Sequence, residues 1–270
     1  MDRLTEIIAT RRNRVAEARH ALPCELLEKQ ARDSRADNRP HALLSAFSLG
    51  DDIKIIAEFK RRSPSKGSIK SNANAPDVTL RYESGGAAAI SVLTEPDYFD
   101  GSLEDLVKVR RTTALPILRK DFIFDEYQVY ESAAAGADAL LLIVAALKDR
   151  ELKALRRLTE DELGIDALVE VHTADEMRRA IDCGAKIIGV NNRSLSTFEV
   201  LLNTSIELSR HAPRDTVLIS ESGIATRADI DRLRAVGYRG FLIGETLMRA
   251  ADPEALLAEL TGAKQAVKIR

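Results

Sequence analysis

Glu58 and Lys60 stand at the end of an apolar run that begins at Ile53 and closes in the segment IAEFKRRSPSKG, residues 56–67. On a strand, residues two apart point to the same face. Glu58 and Lys60 therefore project together, on the side of Ile56. An acid beside an amine at the end of a buried strand packs poorly but is well suited to moving protons. Ser63, Pro64, Ser65, Lys66 and Gly67 follow, and their hydroxyls, cation and flexible glycine suit a phosphate-bearing ligand. Taken alone, the stretch also reads as a strand running into a charged surface loop.

The pattern recurs along the chain. LPILRK ends in Lys120 and is followed by Asp121 and Phe122. ALVEV carries Glu170, and KIIGV leads to Asn191, Asn192 and Arg193. TVLIS leads to Glu221, Ser222 and Gly223, and GFLIG ends at Gly244, before Glu245. A lysine among carboxylates, and a carboxylate in a buried setting, can both have their proton affinity tuned for acid–base work. Gly223 and Gly244 supply free backbone N–H groups for an anion. Tyr98, Phe99, Phe122 and Phe124 read either as core or as an aromatic wall beside these groups. His172 shares the facing of Glu170 one step further on, and reads as a solvated or supporting histidine. The run RRNR, residues 11–14, reads as a solvated face. His20, His41 and His211 lack ligand spacing, and Cys24 and Cys183 form no CxxC pair. No metal, cofactor or disulfide framework is expected.

Eight short apolar runs must position these groups: 53–59, 87–93, 115–120, 138–144, 167–171, 186–190, 216–220 and 240–244. Amphipathic stretches alternate with them, and several end at Gly86, Gly136, Gly184 or Gly237, where a helix turns into the next strand. Eight strand–helix units predict a (β/α)8 TIM barrel over 51–270, with its active site at the C-terminal ends of the strands. An open doubly wound sheet is the alternative, but no GxGxxG opens a helix. Residues 1–50 predict a helical extension packed on the barrel, parts of it over one mouth. Asn72–Pro76 reads as a mobile loop. The chain has 270 residues, 45 % hydrophobic and 30 % charged, with a formal net charge of −2. That balance favours neither nucleic acid nor an anionic membrane. The N-terminus is too charged for a secretory signal, no run spans a membrane, and a cytoplasmic enzyme is expected.

Over nearly its whole length the chain resembles the indole-3-glycerol phosphate synthase family of tryptophan biosynthesis. The matching segments are IAEFKRRSPSKG, AAAISVLTEPDYFDGS, PILRKDFIFDEYQVYES, GADALLLI, LVEVHT, IIGVNNRSLSTFEV, ISESGI and GFLIGETLMR. The resemblance implies ring closure, decarboxylation and dehydration of 1-(2-carboxyphenylamino)-1-deoxyribulose 5-phosphate, without metal or nucleotide. It makes Lys120 the general acid and Glu170 the general base. Lys60 and Glu58 then contact the substrate carboxylate and assist proton transfer. Phe122 becomes a wall for the anthranilate ring, and Asn191, Arg193, Glu221 and Ser222 position substrate. Ser63, Gly223, Gly244 and Glu245 form the phosphate end. Leu201, the SNANAP stretch and Tyr98 depart from the family pattern, but all lie in loops. The implied partner is a small phosphorylated molecule, and the implied assembly a monomer or weak homo-oligomer. Two other readings remain: another phosphate-binding barrel enzyme of tryptophan or histidine biosynthesis, and a barrel that binds phosphoesters without turning them over.

Overall fold

Eight parallel strands close into a barrel in a computed structural model that describes residues 3–36, 39–195 and 197–262. The strands are β1 (Lys54–Phe59), β2 (Ala89–Leu93), β3 (Ile117–Lys120), β4 (Ala139–Ile143), β5 (Asp166–Val171), β6 (Ile187–Asn191), β7 (Val217–Glu221) and β8 (Gly240–Ile243). Each pairs with its sequence neighbour, and β8 pairs with β1. All eight expected runs are strands, within a few residues at their ends. β6 and β7 reach one residue further than expected because Asn191 and Glu221 pair across the ladder. Residues 263–270, expected to finish the barrel segment, lie outside the described residues.

The strands are apolar on both faces because both faces are covered. Ile55, Ala57, Val92, Ile117, Leu140, Val169 and Ile188 face outward, into the helical layer. Their alternates point into the barrel and stack in layers contributed by every second strand. One interior layer is Ile56, Leu118, Leu168 and Ile219, from the odd strands. Two residues further along those strands, the next odd layer is Glu58, Lys120, Glu170 and Glu221. The barrel is thus filled with aliphatic side chains up to the rim, where the filling becomes ionisable.

The outer helices are α4 (Ala75–Ser84), α5 (Leu103–Arg110), α6 (Glu126–Ala134), α7 (Asp149–Arg157), α8 (Ala174–Asp182), α9 (Asn203–Leu208), α10 (Arg227–Arg234), α11 (Glu245–Arg249) and α12 (Pro253–Thr261). Side-chain oxygens of Ser102, Asp125, Thr173 and Thr226 accept backbone N–H groups at the first turn of their helices, which fixes where each helix starts. Gly86, Gly136, Gly184 and Gly237 all hold positive φ at the helix ends. In the stretch read as a mobile loop, Asn74 caps α4, its Oδ1 accepting from Asp77 N–H at 3.1 Å.

Before β1 come α1 (Arg3–Ala21), α2 (Cys24–Arg35) and α3 (Ala42–Ser48). They serve both ends of the barrel. α3 closes the N-terminal end: Leu43 and Phe47 are buried among the interior aliphatics. A Cβ on Gly240 would meet the Phe47 ring at 2.6 Å, so the inward glycine of β8 makes room for that ring. Asp166, which opens β5, accepts from Leu44 N–H at 2.9 Å and lies 3.0 Å from His41 Nδ1. α1 lies over the opposite mouth. Three of its residues line the cavity there: Arg3, Leu4 and Ile7.

The RRNR run of α1 is a solvated face only in part: Arg12, Asn13 and Arg14 are exposed, but the three arginines are all engaged. Arg11 is buried and grips Asp121 with two hydrogen bonds of 3.0 and 2.6 Å. Arg14 pairs with Asp97 at 2.6 Å, and the Arg12 guanidinium stacks 4.5 Å over Phe124. The acids and rings these arginines meet stand on the loops after β2 and β3, more than 80 residues away in sequence, so no local pattern marks them.

Phe47→Ala is expected to open a void under the barrel and lower stability by about 3–5 kcal/mol. Thermal unfolding should fall on the order of 10 °C. A change of only a degree or two would mean that α3 does not plug the barrel.

Candidate active site

Each βα loop leaves its strand at the same end of the barrel, and the polar residues expected at those ends meet around one cavity of about 730 Å³. That size suits a small organic ligand. Glu58, Lys60, Ser63, Lys120, Phe122, Glu170, Asn191, Arg193, Glu221, Ser222, Gly223, Gly244 and Glu245 all line it.

The ionisable layer forms its floor. Lys120 Nζ donates to Glu170 Oε2 at 2.9 Å and lies 3.3 Å from Glu221 Oε2. Lys60 Nζ lies 2.6 Å from Glu58 Oε1. Burial alone would strip the proton from Lys120, but Glu170, Glu221 and Glu58 outweigh it and raise its proton affinity. Burial likewise pushes Glu170 up. Lys120 and His172 overcome that, and the Asn191 amide adds a hydrogen bond, so the carboxyl is held below its ordinary value. Glu221 goes the other way. Burial and the charges of Glu170 and Glu58 push it up to about 8 against the pull of Lys120. Its Oε1 is buried without a hydrogen-bond partner among the described residues. Two carboxyl groups of one layer are therefore driven in opposite directions, Glu170 down and Glu221 up.

The walls differ in character. On the β2–β3 side, Phe99 and Phe122 stand with ring centroids 6.1 Å apart. Of the four aromatics weighed, these two face the cavity. Tyr98 instead donates its hydroxyl to Glu6 on α1 at 3.0 Å, and Phe124 packs against the outer core. Across the mouth, the turn after β7 holds Ser222 and Gly223 at φ of 68° and 79°. Such a φ costs a non-glycine residue about 1 kcal/mol, and Asn192 meets that cost. Its amide donates to the carbonyls of Glu221 and Ser222, each at 3.0 Å. Asn192 is buried and braces the turn. Gly244 precedes α11, whose first residue, Glu245, has its carboxylate taken by Arg249 at 3.1 Å. Ser63 sits in a two-stranded ribbon, Arg62–Ser63 with Gly67–Ser68, that brings Lys66 to the cavity. Arg193 also turns back on its own loop, donating to the Phe198 carbonyl at 3.2 Å.

Asp121 is a strut. It accepts from Arg11, Thr94, Arg119 and the Phe122 N–H. A cover over one mouth is expected of the N-terminal extension, but not that Arg3, Leu4 and Ile7 are the residues that line the cavity. The spacing of Leu4 and Ile7 marks a buried helix face, but not what that face covers. Among the described residues no group of three or more His, Cys, Asp or Glu could hold a metal ion, and no helix is long and apolar enough to cross a membrane.

Comparison with known proteins gives one consistent result. The model of the indole-3-glycerol phosphate synthase family matches residues 4–260. An indole-3-glycerol phosphate synthase of Desulfosudis oleivorans is 46 % identical over 261 residues, covering 96 % of this chain and 98 % of that protein. One of Lachnoclostridium phytofermentans is 40 % identical over 266 residues, covering 95 % and 98 %. Among solved structures, 3-hexulose-6-phosphate synthase from Salmonella typhimurium has a TM-score of 0.63 at 13 % identity, covering 77 % of this chain and 97 % of its own. Thiamine phosphate pyrophosphorylase from Pyrococcus furiosus has a TM-score of 0.58 at 15 % identity, covering 81 % and 95 %. At such identities the likeness shows the barrel fold alone.

Glu221 makes stability depend on pH. Its folded value of about 8 lies above the ordinary carboxyl value near 4.5. Its contribution is therefore full below that lower value and is lost as pH rises through 8. Calorimetry of the ligand-free protein should show Glu221→Gln gaining Tm relative to the parent between about pH 5 and 8 and levelling above. A Tm difference flat across that range would mean that Glu221 ionises normally.

Proposed function

The chain belongs to the indole-3-glycerol phosphate synthase family, and we propose that its barrel mouth converts 1-(2-carboxyphenylamino)-1-deoxyribulose 5-phosphate to indole-3-glycerol phosphate, CO2 and water. The observation that carries the assignment of roles is the Lys120 ammonium held between Glu170 and Glu221 on the cavity floor.

The first step joins the ring carbon that bears the carboxylate to the ribulose carbonyl carbon. The ring nitrogen supplies electrons and the carbonyl oxygen must receive a proton. Lys120 is that proton's source. The carboxylates around it keep it protonated at neutral pH, and the nascent alkoxide is a much stronger base than an amine, so transfer runs downhill. Loss of CO2 then returns a bonding pair to the cationic ring. Loss of the new hydroxyl as water and of a proton from the adjacent carbon completes the indole. Glu170, ionised and in contact with Lys120, is placed to take that proton. Lys60, paired with Glu58 at the same floor, provides a cation for the substrate carboxylate and a second acid for the departing hydroxyl.

Orientation follows from the two walls. The anthranilate ring stacks toward Phe122 and Phe99. The phosphate lies across the mouth, against the backbone after β7 and β8 at Gly223 and Gly244, with Ser63 closing the third side. Asn191, Arg193 and Ser222 stand between the two ends. Glu245 contributes its backbone N–H at the start of α11, because its carboxylate is occupied by Arg249 and would repel a phosphate.

Lys120→Met keeps length and removes the proton, and Glu170→Gln keeps shape and removes the base. Each should fold and lose about 10²–10⁴ in turnover, read by the fluorescence of indole-3-glycerol phosphate as it forms. Near-full activity in either folded variant removes that residue from the mechanism. The phosphate end has its own check. A substrate analogue lacking the phosphate should bind much more weakly than the phosphorylated one, and inorganic phosphate should compete with substrate. Equal affinity for the two analogues would place the anion elsewhere.

A further inference from the structure

His172 stands just past the end of β5, two residues beyond Glu170, and is not among the residues that line the cavity. Its Nε2 stands 3.4 Å from Glu170 Oε1. Lys120 holds the other oxygen, Oε2, at 2.9 Å. The carboxylate is thus flanked on both oxygens, by an amine in the cavity and an imidazole behind it. On its far side, His172 Nδ1 is 3.2 Å from Glu176 Oε2, and the same oxygen accepts the His172 backbone N–H at 2.7 Å.

Local sequence fixes Glu176 there. Thr173 and Glu176 have the spacing of a capping box at the start of α8. Thr173 Oγ1 accepts from Glu176 N–H at 3.2 Å, and the glutamate side chain turns back over the helix start to reach the histidine. A neutral imidazole offers one N–H and one lone pair. Here Nδ1 meets Glu176 Oε2, while Nε2, buried and without a hydrogen bond among the described residues, faces Glu170 Oε1 at 3.4 Å; a proton on each nitrogen makes both contacts attractive. Burial opposes that charge, but Glu176 and Glu170 outweigh it and raise the proton affinity above the ordinary histidine value. The charged groups that face the ring are Glu170 on β5, Glu176 on α8 and Glu221 on β7. Lys120 on β3 reaches it through Glu170.

We propose that His172, backed by Glu176, is a positioning residue whose imidazolium faces one oxygen of the Glu170 carboxylate and keeps the group ionised through the reaction. This rests on the reading of Glu170 as the base. Lys120 loses its charge when it delivers its proton, at the moment Glu170 must not gain one from elsewhere. The imidazolium is the cation that stays. It sits outside the cavity, so it can hold the carboxylate without touching substrate.

His172→Gln keeps a polar group beside Glu170 and removes the charge. In the free protein, the Glu170 titration followed by NMR of 13C-labelled glutamate should move up by about one unit. The acid limb of kcat/KM should move up with it, with Tm retained and KM within about threefold of the parent. Glu176→Gln should move the titration and the limb in the same direction by unpinning the imidazolium. A folded His172→Gln whose Glu170 titration and acid limb stay in place overturns the proposal. So does a loss of rate at all pH values alike, which is the mark of a packing defect. Glu170→Gln measured in parallel separates the two readings. If it is inactive while the His172→Gln titration stays put, the base assignment stands and the positioning role falls. If it remains active, the base assignment falls and takes the role with it, whatever the titration shows.

Discussion

Lys120 can keep a buried positive charge only because carboxylates reach it from strands on other sides of the barrel. Glu58, Lys120, Glu170 and Glu221 come from β1, β3, β5 and β7 and form one interior layer. An open sheet would leave no such ring, since β1, β5 and β7 face β3 only when the sheet closes on itself. The layer is costly. Desolvating several charges opposes folding, and their mutual attraction repays it only in part. Aliphatic residues at the same four positions would make a more stable barrel, as they do one odd layer below at Ile56, Leu118, Leu168 and Ile219. The packed layers beneath hold these charges rigidly in place at the mouth.

The three helices before β1 respond to the two openings such a barrel leaves. At the N-terminal end the opening is apolar, and α3 fills it with Leu43 and Phe47. At the other end the opening is the site, which must be covered without being filled. α1 does this with few groups in the cavity and strong fastening outside it. Arg11 is tied to Asp121, and Asp121 is tied in turn to Arg119, Thr94 and the backbone of Phe122. The cover is therefore anchored to the loop that carries the aromatic wall and that follows Lys120 directly. A displacement of α1 would be felt at Phe122 through one shared carboxylate.

Much of this was legible before the fold was known. Strands alternate between two faces, so the offset of Glu58 from Lys60 already indicated that these two groups look into the cavity together. The eight apolar runs and the glycines between them gave the barrel, and the barrel's geometry sent the strand ends to one mouth. What stayed hidden had no local signature. The arginines of α1 read as a solvated face because their partners, Asp97 and Asp121, are remote in sequence. Asn192 looked like one more polar group at a strand end, yet it faces the turn and braces it. Tyr98 and Phe124 could not be separated from Phe99 and Phe122, since all four follow strands and only the loop conformation decides which rings turn to the cavity.

Three inward positions on β6 and β8, or just past them, show how closely the rim is specified. A Cβ on Gly189 would lie 2.1 Å from Glu221 Oε1, one on Gly244 would lie 2.3 Å from Glu58 Oε1, and one on Gly240 would strike the Phe47 ring. In each case a neighbouring strand or helix supplies the atoms that fill the space. At Gly240 the substitute is apolar and belongs to the plug. At Gly189 and Gly244 it is a carboxylate of the ionisable layer. The missing side chains leave room over the even-numbered strands for two carboxylates, Glu221 beside Lys120 and Glu58 beside Lys60. Even the smallest side chain at either glycine would push a carboxylate out of the layer and so change the charge that Lys120 meets. These glycines act on the chemistry through packing alone, and their role becomes visible only once the register of the closed barrel places them beside the acids.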